Sequence, residues 1–220
     1  MDSTIKLYSY WRSSASYRVR IALNLKQLKH EIVAVNLVKD GGEHRLAEFH
    51  HLNPQERVPV LIDGGRIVRQ SLAIIEYLEE VYDGNHLLPG TARERARARG
   101  LAHLIATDIS PMGNLSVLQY LEQEDNMPQI ERERWVRTWI SRGFTALEEM
   151  LADNPSTGEF CEGDLPSIAD CCLIPQVYNA QRFEVDLTPF PTIQRINAHC
   201  LGLPAFDLAR PEKQADAPQA

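Results

Sequence analysis

The chain has few of the features that mark secreted, membrane-bound or metal-binding proteins. Its four cysteines, Cys161, Cys171, Cys172 and Cys200, form no C-x-x-C pair, so neither a zinc site nor a disulfide framework is expected. No apolar run approaches the length of a membrane span, and no basic start followed by an apolar segment suggests a signal peptide. These absences predict a cytoplasmic protein with four reduced thiols.

Positive charge is also scarce. The chain has 23 Lys and Arg against 30 Asp and Glu, which gives a formal net charge of −7 and argues against non-specific binding to nucleic acid or an anionic membrane. No glycine-rich phosphate loop follows a strand, so nucleotide binding is not expected. The adjacent His50 and His51 lack the converging partners that a metal needs, so no metal is expected. Hydrophobic residues nevertheless make up 44% of the 220 residues, enough for a substantial core.

The first eighty residues alternate between strand and helix patterns. The β-rich run Ile5–Tyr8 precedes a helical pattern from about Ser14 to Leu28, and the apolar run Glu31–Val35 has strand length. Two more β-branched runs flank Asp63-Gly64-Gly65, a hairpin signal. A helix follows from Ser71, a natural N-cap. The order βαβ–ββα predicts an α+β domain built on a small mixed sheet.

After this region the pattern becomes helical. Thr91 with Glu94, and Ser167 with Asp170, have the spacing of capping boxes, and the segment between Thr91 and Glu122 is expected to bend near Pro111. The last polar residues, 211–218, are expected to be loose.

These patterns divide the chain into two domains. Residues 84–91 are rich in turn formers and predict a linker. We therefore expect a first domain at residues 1–83 and an all-α second domain at 92–220, with a ligand site between the two.

The stretch Ser13-Ser14-Ala15-Ser16-Tyr17-Arg18 stands where the first strand ends and the first helix begins. The first turn of a helix has N–H groups without intrahelical partners, and the helix dipole adds partial positive charge, so the stretch suits an anion. Serine at this position is also a common N-cap. Both interpretations remain open from this stretch alone.

Three further features favour ligand binding. Arg12 lies beside the hydroxyl cluster, Val58-Pro59 opens a strand, and Gln70-Ser71 opens a second helix. Two helix starts that attract anions, together with an exposed strand edge, predict recognition of an extended anionic peptide.

These residues, with the helical region that contains Ser167 and Asp170, resemble the cytosolic glutathione transferases. The zeta class is most similar, through three segments: Tyr8 to Leu23, Asn114 to Leu118, and Arg182 to Pro189. The resemblance implies a thioredoxin-like first domain, a homodimer, and glutathione as cofactor. Zeta enzymes are maleylacetoacetate isomerases of tyrosine breakdown, and a bacterial relative is the maleylpyruvate isomerase of gentisate breakdown.

The resemblance also implies roles for individual residues. Ser13, Ser14, Ala15, Ser16, Tyr17 and Arg18 would surround the glutathione thiol, with Ser13 favoured over Ser14 as its hydrogen-bond donor. Val58 would pair its backbone with the cysteinyl unit, before a cis Pro59, and Gln70 and Ser71 would hold the γ-glutamyl carboxylate. His44 stands where zeta enzymes often have glutamine. Ser110, Asn114, Leu115 and Ser116 would approach the ligand from the second domain. Arg12 and Arg182 would bind substrate carboxylates, for which guanidinium is well shaped.

Ala15 departs from the family, because zeta enzymes usually have cysteine there. The thiolate of glutathione would therefore supply all of the sulfur chemistry, by adding to the cis double bond, allowing rotation and leaving again. Alternatives are a general transferase acting on α-haloacids and a non-catalytic glutathione-binding protein. The Asn114-Leu115-Ser116 segment favours maleylacetoacetate over maleylpyruvate as substrate.

Overall fold

The computed structural model describes residues 4–88 and 90–218 of the chain. The chain divides into two compact units. The first contains the described residues up to Leu87 and those from Leu203 onward, and the second runs from Leu88 to Gly202. Among the described residues, no helix is both long enough and apolar enough to cross a membrane.

The first unit alternates strands and helices in the predicted order. Its elements are β1 (Ile5–Ser9), α1 (Ser14–Leu25), β2 (His30–Ala34), α2 (Ala47–Leu52), β3 (Val60–Asp63), β4 (Arg66–Arg69) and α3 (Ser71–Val81). Two short 3-10 turns, Lys39–Gly41 and Glu43–Arg45, precede α2. Helix α1 ends before Leu28 because Gln27 has a left-handed backbone (φ 55°), which a right-handed helix does not continue through.

The strands form one mixed sheet in the order β2-β1-β3-β4. β1 pairs with β2 in parallel, with Leu7 opposite Ile32, and with β3 in antiparallel, with Leu7 opposite Leu61. Leu7 and Leu61 are fully buried. Because β1 is a central strand and α1 is the next element, α1 begins near the middle of the sheet.

Two glycines close the β3–β4 hairpin. Asp63 lies opposite Arg66, and the intervening Gly64 and Gly65 both have positive φ, 55° and 83°. A two-residue hairpin loop of this kind requires positive φ at both central positions. The predicted hairpin is therefore confirmed.

Helix α1 is buried around most of its circumference. Val19, Ile21 and Leu23 are fully buried, and Arg18 and Arg20 are only 3% and 2% exposed. A buried guanidinium is costly unless it is hydrogen-bonded. The hydrogen bonds of these two arginines, described below, therefore hold neighbouring segments against the helix.

Among the described residues of the second unit, all of the regular secondary structure is helical. It comprises α4 (Ala92–His103), α5 (Leu115–Gln123), α6 (Gln129–Ala152), α7 (Ile168–Arg182) and α8 (Pro191–Leu201). The predicted bend lies between α4 and α5, where a π-helical stretch, Leu104–Ile109, leads into a 3-10 turn, Ser110–Gly113. The Trp135 indole donates to the Met112 carbonyl at 2.9 Å, which fixes this turn against α6.

Both predicted capping boxes are confirmed. The Glu94 carboxylate accepts from the Thr91 N–H at 2.5 Å, and the Thr91 hydroxyl accepts from the Glu94 N–H. The Asp170 carboxylate accepts from the Ser167 N–H at 2.8 Å and from the Cys161 N–H at 2.9 Å. Burial of Asp170 raises its pKa, despite these hydrogen bonds.

The C-terminal segment differs from expectation in two respects. The sequence patterns predict that all of 92–220 belongs to the second domain and that 211–218 is loose. In the structure, α9 (Pro204–Leu208) and the residues after it pack within the first unit. Arg20 donates to the Ala209 carbonyl at 3.0 Å, and Asn24 donates to the Ala205 carbonyl at 2.9 Å. These long-range hydrogen bonds hold the segment against α1. No local sequence pattern indicates them.

Candidate active site

Ser13 caps α1 at the point where the chain leaves the sheet. Its backbone is extended (φ −67°, ψ 117°), and its Oγ accepts from the Ser16 N–H at 3.2 Å. The Ser13 N–H donates to the Tyr10 carbonyl at 3.0 Å, and the Ser13 carbonyl accepts from the Tyr17 N–H at 2.9 Å. The N-cap interpretation of Ser13 is confirmed.

Capping leaves the Ser13 hydroxyl proton available. A hydroxyl has one donor and two acceptor lone pairs, and the cap uses only one lone pair. Ser13 and Ser14 are partly exposed. The start of α1 therefore combines a hydroxyl donor with the unpaired N–H groups and partial positive charge of a helix N-terminus, an arrangement that stabilises an anion.

The next three residues of the motif face inward. Ser16, Tyr17 and Arg18 are 0%, 2% and 3% exposed, whereas Ala15 is partly exposed. Arg18 donates through Nη1 to the Ser71 Oγ at 3.1 Å. The buried part of the motif thus connects the start of α1 with the start of α3.

The start of α3 has an unusual backbone. Gln70 is the N-cap and has a left-handed φ of 71°, and its side chain does not cap the helix. Ser71, which the sequence pattern predicts as the N-cap, is instead the first helical residue and is 6% exposed. Gln70 is exposed and donates through Nε2 to the Gln55 Oε1 at 2.7 Å. A left-handed non-glycine residue is uncommon and often marks a functional position.

Val58 and Pro59 are joined by a cis peptide bond, as predicted. The Val58 side chain belongs to a buried cluster with Tyr10, Phe49 and Val60. Val58 therefore lies just before β3, with its side chain anchored in the core.

His44 lies in the 3-10 turn Glu43–Arg45 and is 7% exposed. Burial lowers its pKa, and the adjacent Arg45 lowers it further. The ring packs tightly on Gly42, where an added Cβ would lie 2.2 Å from His44 Cε1. Among the described residues, its buried Nδ1 has no hydrogen-bond partner. A neutral imidazole with an unsatisfied nitrogen suits a polar ligand.

The candidate residues of the second unit cluster at the bend between α4 and α5. Ser110 opens the 3-10 turn, and Asn114 is the N-cap of α5. The Asn114 side chain makes no capping bond, so its amide is not used on its own helix. Leu115 is partly exposed and Ser116 is exposed.

The two predicted substrate arginines are both exposed. Arg12 lies over the Trp11 ring, with 5.4 Å from Cζ to the centroid, and Arg182 ends α7 over the Phe183 ring at 4.3 Å. Stacking on an aromatic face restricts the orientation of a guanidinium. The planar fork of a guanidinium has the shape to bind a carboxylate.

The cysteines are remote from the Ser13 motif in sequence, and all four are buried and outside any disulfide. Each lies within the second unit, and burial raises the pKa of Cys161, Cys171 and Cys200. Raised pKa values suppress the reactive thiolate form. The first unit therefore contributes no cysteine thiol, and Ala15 adds only a methyl group at the start of α1.

Sequence reasoning missed three polar residues around these groups: Arg20, Gln55 and Asp216. Arg20 lies in the apolar run Val19-Arg20-Ile21, and a charge inside such a run is a usable indication of a buried hydrogen-bonding role. Gln55 and Asp216 act through contacts that the local pattern does not reveal.

Comparison with known proteins gives consistent matches along the chain. Residues 7–86 match the family of the glutathione S-transferase N-terminal domain. A probable maleylacetoacetate isomerase of Vibrio cholerae is 53% identical over 211 residues, covering 96% of this chain and 97% of the relative. A maleylpyruvate isomerase of Ralstonia sp is 46% identical over 213 residues, covering 97% and 100%.

A solved structure agrees in fold. The maleylacetoacetate isomerase of Methylobacterium extorquens AM1, with bound malonate and GSH, has a TM-score of 0.94 and 40% identity, covering 97% of this chain and 100% of that chain. The mixed sheet and the helical second unit are those of a glutathione transferase. Within that class, the chain belongs to the zeta-class family of maleylacetoacetate and maleylpyruvate isomerases.

Proposed function

We propose that this protein is a glutathione-dependent cis–trans isomerase that converts maleylacetoacetate to fumarylacetoacetate. The observation that carries the proposal is the partly exposed Ser13 hydroxyl at the start of α1. It occurs in a chain that shares about half of its residues with a probable maleylacetoacetate isomerase.

The groups of the first unit fit glutathione. The start of α3 at Gln70 and Ser71 suits the γ-glutamyl carboxylate, since its first-turn N–H groups receive no cap from the Gln70 side chain. His44 is a further candidate for contact with the tripeptide, as the family resemblance implies. Val58 offers backbone groups next to β3, where an extended peptide can pair. Bound glutathione would supply the sulfur nucleophile for reversible addition to the cis double bond.

The side chains of the protein then have separable tasks. Ser13 would donate a hydrogen bond from its hydroxyl to the glutathione thiolate, and the N-terminus of α1 would add its partial positive charge, so that the pKa of the thiol falls. Arg12 and Arg182 hold the substrate carboxylates and stabilise the negative charge that develops during isomerisation. Ser110, Asn114, Leu115 and Ser116 are further candidates for contact with the ligand, as the family resemblance implies.

We also propose that the protein is a cytoplasmic homodimer, as its zeta-class family membership supports. Sedimentation equilibrium of the purified chain would test the oligomeric state: a dimer mass is expected, and a monomer mass across the concentration range would contradict it.

The isomerase proposal is tested by following the absorbance of maleylacetoacetate with and without glutathione. We expect loss of the maleyl absorbance only when glutathione is present, with glutathione recovered unchanged. Consumption of glutathione in step with the substrate would instead indicate a conjugating transferase. Binding of glutathione without turnover would indicate a non-catalytic protein.

Maleylpyruvate is the second candidate substrate, because the Ralstonia relative that acts on it is 46% identical to this chain. The Vibrio relative is 53% identical, which favours maleylacetoacetate. Measuring kcat/KM for both substrates in one preparation decides between them, and a higher value for maleylpyruvate would reverse the assignment.

A further inference from the structure

Charged side chains bind both backbone groups of Trp11, the residue before Arg12. The Trp11 N–H donates to the Asp216 Oδ2 at 2.9 Å, across 205 positions of sequence. The Trp11 carbonyl accepts from the Arg20 Nη2 at 2.9 Å. Hydrogen bonds to ionised groups are roughly twice as strong as neutral ones, so this residue is held firmly from both sides.

Arg20 extends this arrangement in two directions. Its Nη1 donates to the Ser9 Oγ at 3.1 Å, at the end of β1, and its Nε donates to the Ala209 carbonyl at 3.0 Å. The end of β1, the loop before α1 and the C-terminal segment therefore share one buried guanidinium.

Asp216 is itself fixed by the chain around it. The Gln214 Nε2 donates to the Leu208 carbonyl at 3.1 Å and to the Arg210 carbonyl at 2.9 Å. The Ala217 N–H donates to the Gln214 carbonyl at 3.0 Å. The carboxylate is thus presented by an ordered turn, and its bond to Trp11 does not depend on a freely moving terminus.

We propose that Asp216 is a positioning residue for the loop that presents Arg12 and Ser13. Arg12 and Ser13 directly follow Trp11, and the Ser13 N–H closes the loop on the Tyr10 carbonyl at 3.0 Å. A rotation of the Trp11 peptide therefore displaces a guanidinium and a hydroxyl together, and small misplacements of such groups reduce rates strongly. This inference rests on the isomerase function proposed above.

The test compares Asp216→Ala and Asp216→Asn with Glu212→Ala, which removes an exposed acidic side chain from the same segment. Three quantities are measured: kcat/KM for the maleyl substrate at saturating glutathione, the thermal midpoint, and hydrogen exchange of the Trp11 amide. For Asp216→Ala we expect about a tenfold fall in kcat/KM, the worth of one charge-assisted hydrogen bond. The fall should occur in kcat and not in KM, and the Trp11 amide hydrogen should exchange faster than in wild type. Asp216→Asn, which keeps an acceptor oxygen, should lose about threefold, and Glu212→Ala should match wild type.

The outcomes separate the two proposals. An inactive wild-type protein would contradict the isomerase function. An active wild type with an equally active Asp216→Ala variant, or an equal loss in Glu212→Ala, would overturn the positioning role alone. If Asp216→Ala does not fold, Asp216→Asn provides the test. The inference then requires both faster exchange of the Trp11 amide and a lower kcat in this variant. Either change without the other overturns the inference.

Discussion

Arg18 donates a hydrogen bond through Nη1 to the Ser71 Oγ at 3.1 Å, and both side chains are buried. The bond joins the first helix after β1 to the helix that follows the hairpin. Because the Ser71 oxygen accepts from Arg18, its own proton is directed elsewhere and can be donated to a ligand carboxylate.

Ser71→Ala should therefore raise the KM for glutathione about tenfold, equivalent to one lost hydrogen bond to a charged group. The kcat at saturating glutathione should change little, because the proposed role of Ser71 is to bind the γ-glutamyl end and not the sulfur. Steady-state kinetics with varied glutathione measures both values. Thr145→Ala, on the exposed face of α6, is the control and should leave both unchanged. An unaltered KM in Ser71→Ala would contradict this assignment.

Removing the Ser13 hydroxyl should lower kcat about 100-fold, the usual effect of losing one hydrogen-bond donor to a developing anion. Ser13→Ala also removes the helix cap, at a cost of about 1 kcal/mol in stability, whereas Ser13→Gly costs only a few tenths. The two variants should therefore share the kinetic loss and differ in thermal midpoint.

Ser14→Ala is the matched control for the Ser13 variants. It should retain most of the wild-type activity. Full activity in Ser13→Ala at saturating glutathione, or a larger loss in Ser14→Ala, would transfer the role away from Ser13.

Local patterns predicted the order of elements well where neighbouring residues determine structure. The Gly64-Gly65 turn, the cap at Ser13 and the capping box at Ser167 each depend on residues within four positions. The bend near Pro111 was also predicted, although its π-helical part begins earlier, at Leu104.

The features that sequence patterns did not predict depend on contacts between residues that are distant in sequence. A polar, proline-containing tail resembles a loose terminus, yet Asp216 binds Trp11 across 205 positions. Similarly, Arg18 and Arg20 are buried on a helix where charges are ordinarily expected to face water. Gln70 is the single residue between β4 and α3, and its left-handed backbone connects the strand directly to the helix, so that Gln70 and not Ser71 is the N-cap.

Ala15 makes a direct test of the sulfur chemistry possible. If glutathione supplies the nucleophile, Ala15→Cys should leave kcat within about twofold of wild type, as expected for a change that adds no transition-state interaction. The pH dependence of kcat should also keep its shape. Ala15→Ser, which has a similar size and no thiol, is the control. A large gain specific to Ala15→Cys would show that a protein thiol assists the reaction.

Glu79 should make the stability of the first unit dependent on pH. Its carboxylate accepts from the buried Lys26 Nζ at 3.2 Å, from the Leu87 N–H at 2.9 Å, and from His86 at 2.9 Å. Burial alone would raise the pKa of Glu79, but these three hydrogen bonds outweigh it and lower the pKa. A carboxyl whose pKa is lower in the folded state stabilises the fold above its unfolded pKa, and this contribution is lost as the pH falls through the folded pKa.

Glu79→Gln should therefore lower the free energy of unfolding by about 3 kcal/mol at neutral pH, since it leaves the Lys26 charge buried without its counter-ion. The difference from wild type should begin to shrink below the ordinary carboxyl pKa of about 4.3 and should vanish only below the lower folded-state pKa, where Glu79 is protonated in both states. Urea unfolding at a series of pH values measures this difference. Glu80→Gln, at an exposed neighbouring position, should stay within about 0.5 kcal/mol of wild type. A loss in Glu79→Gln that is equal at neutral and acid pH would show that packing, and not the charge, is responsible.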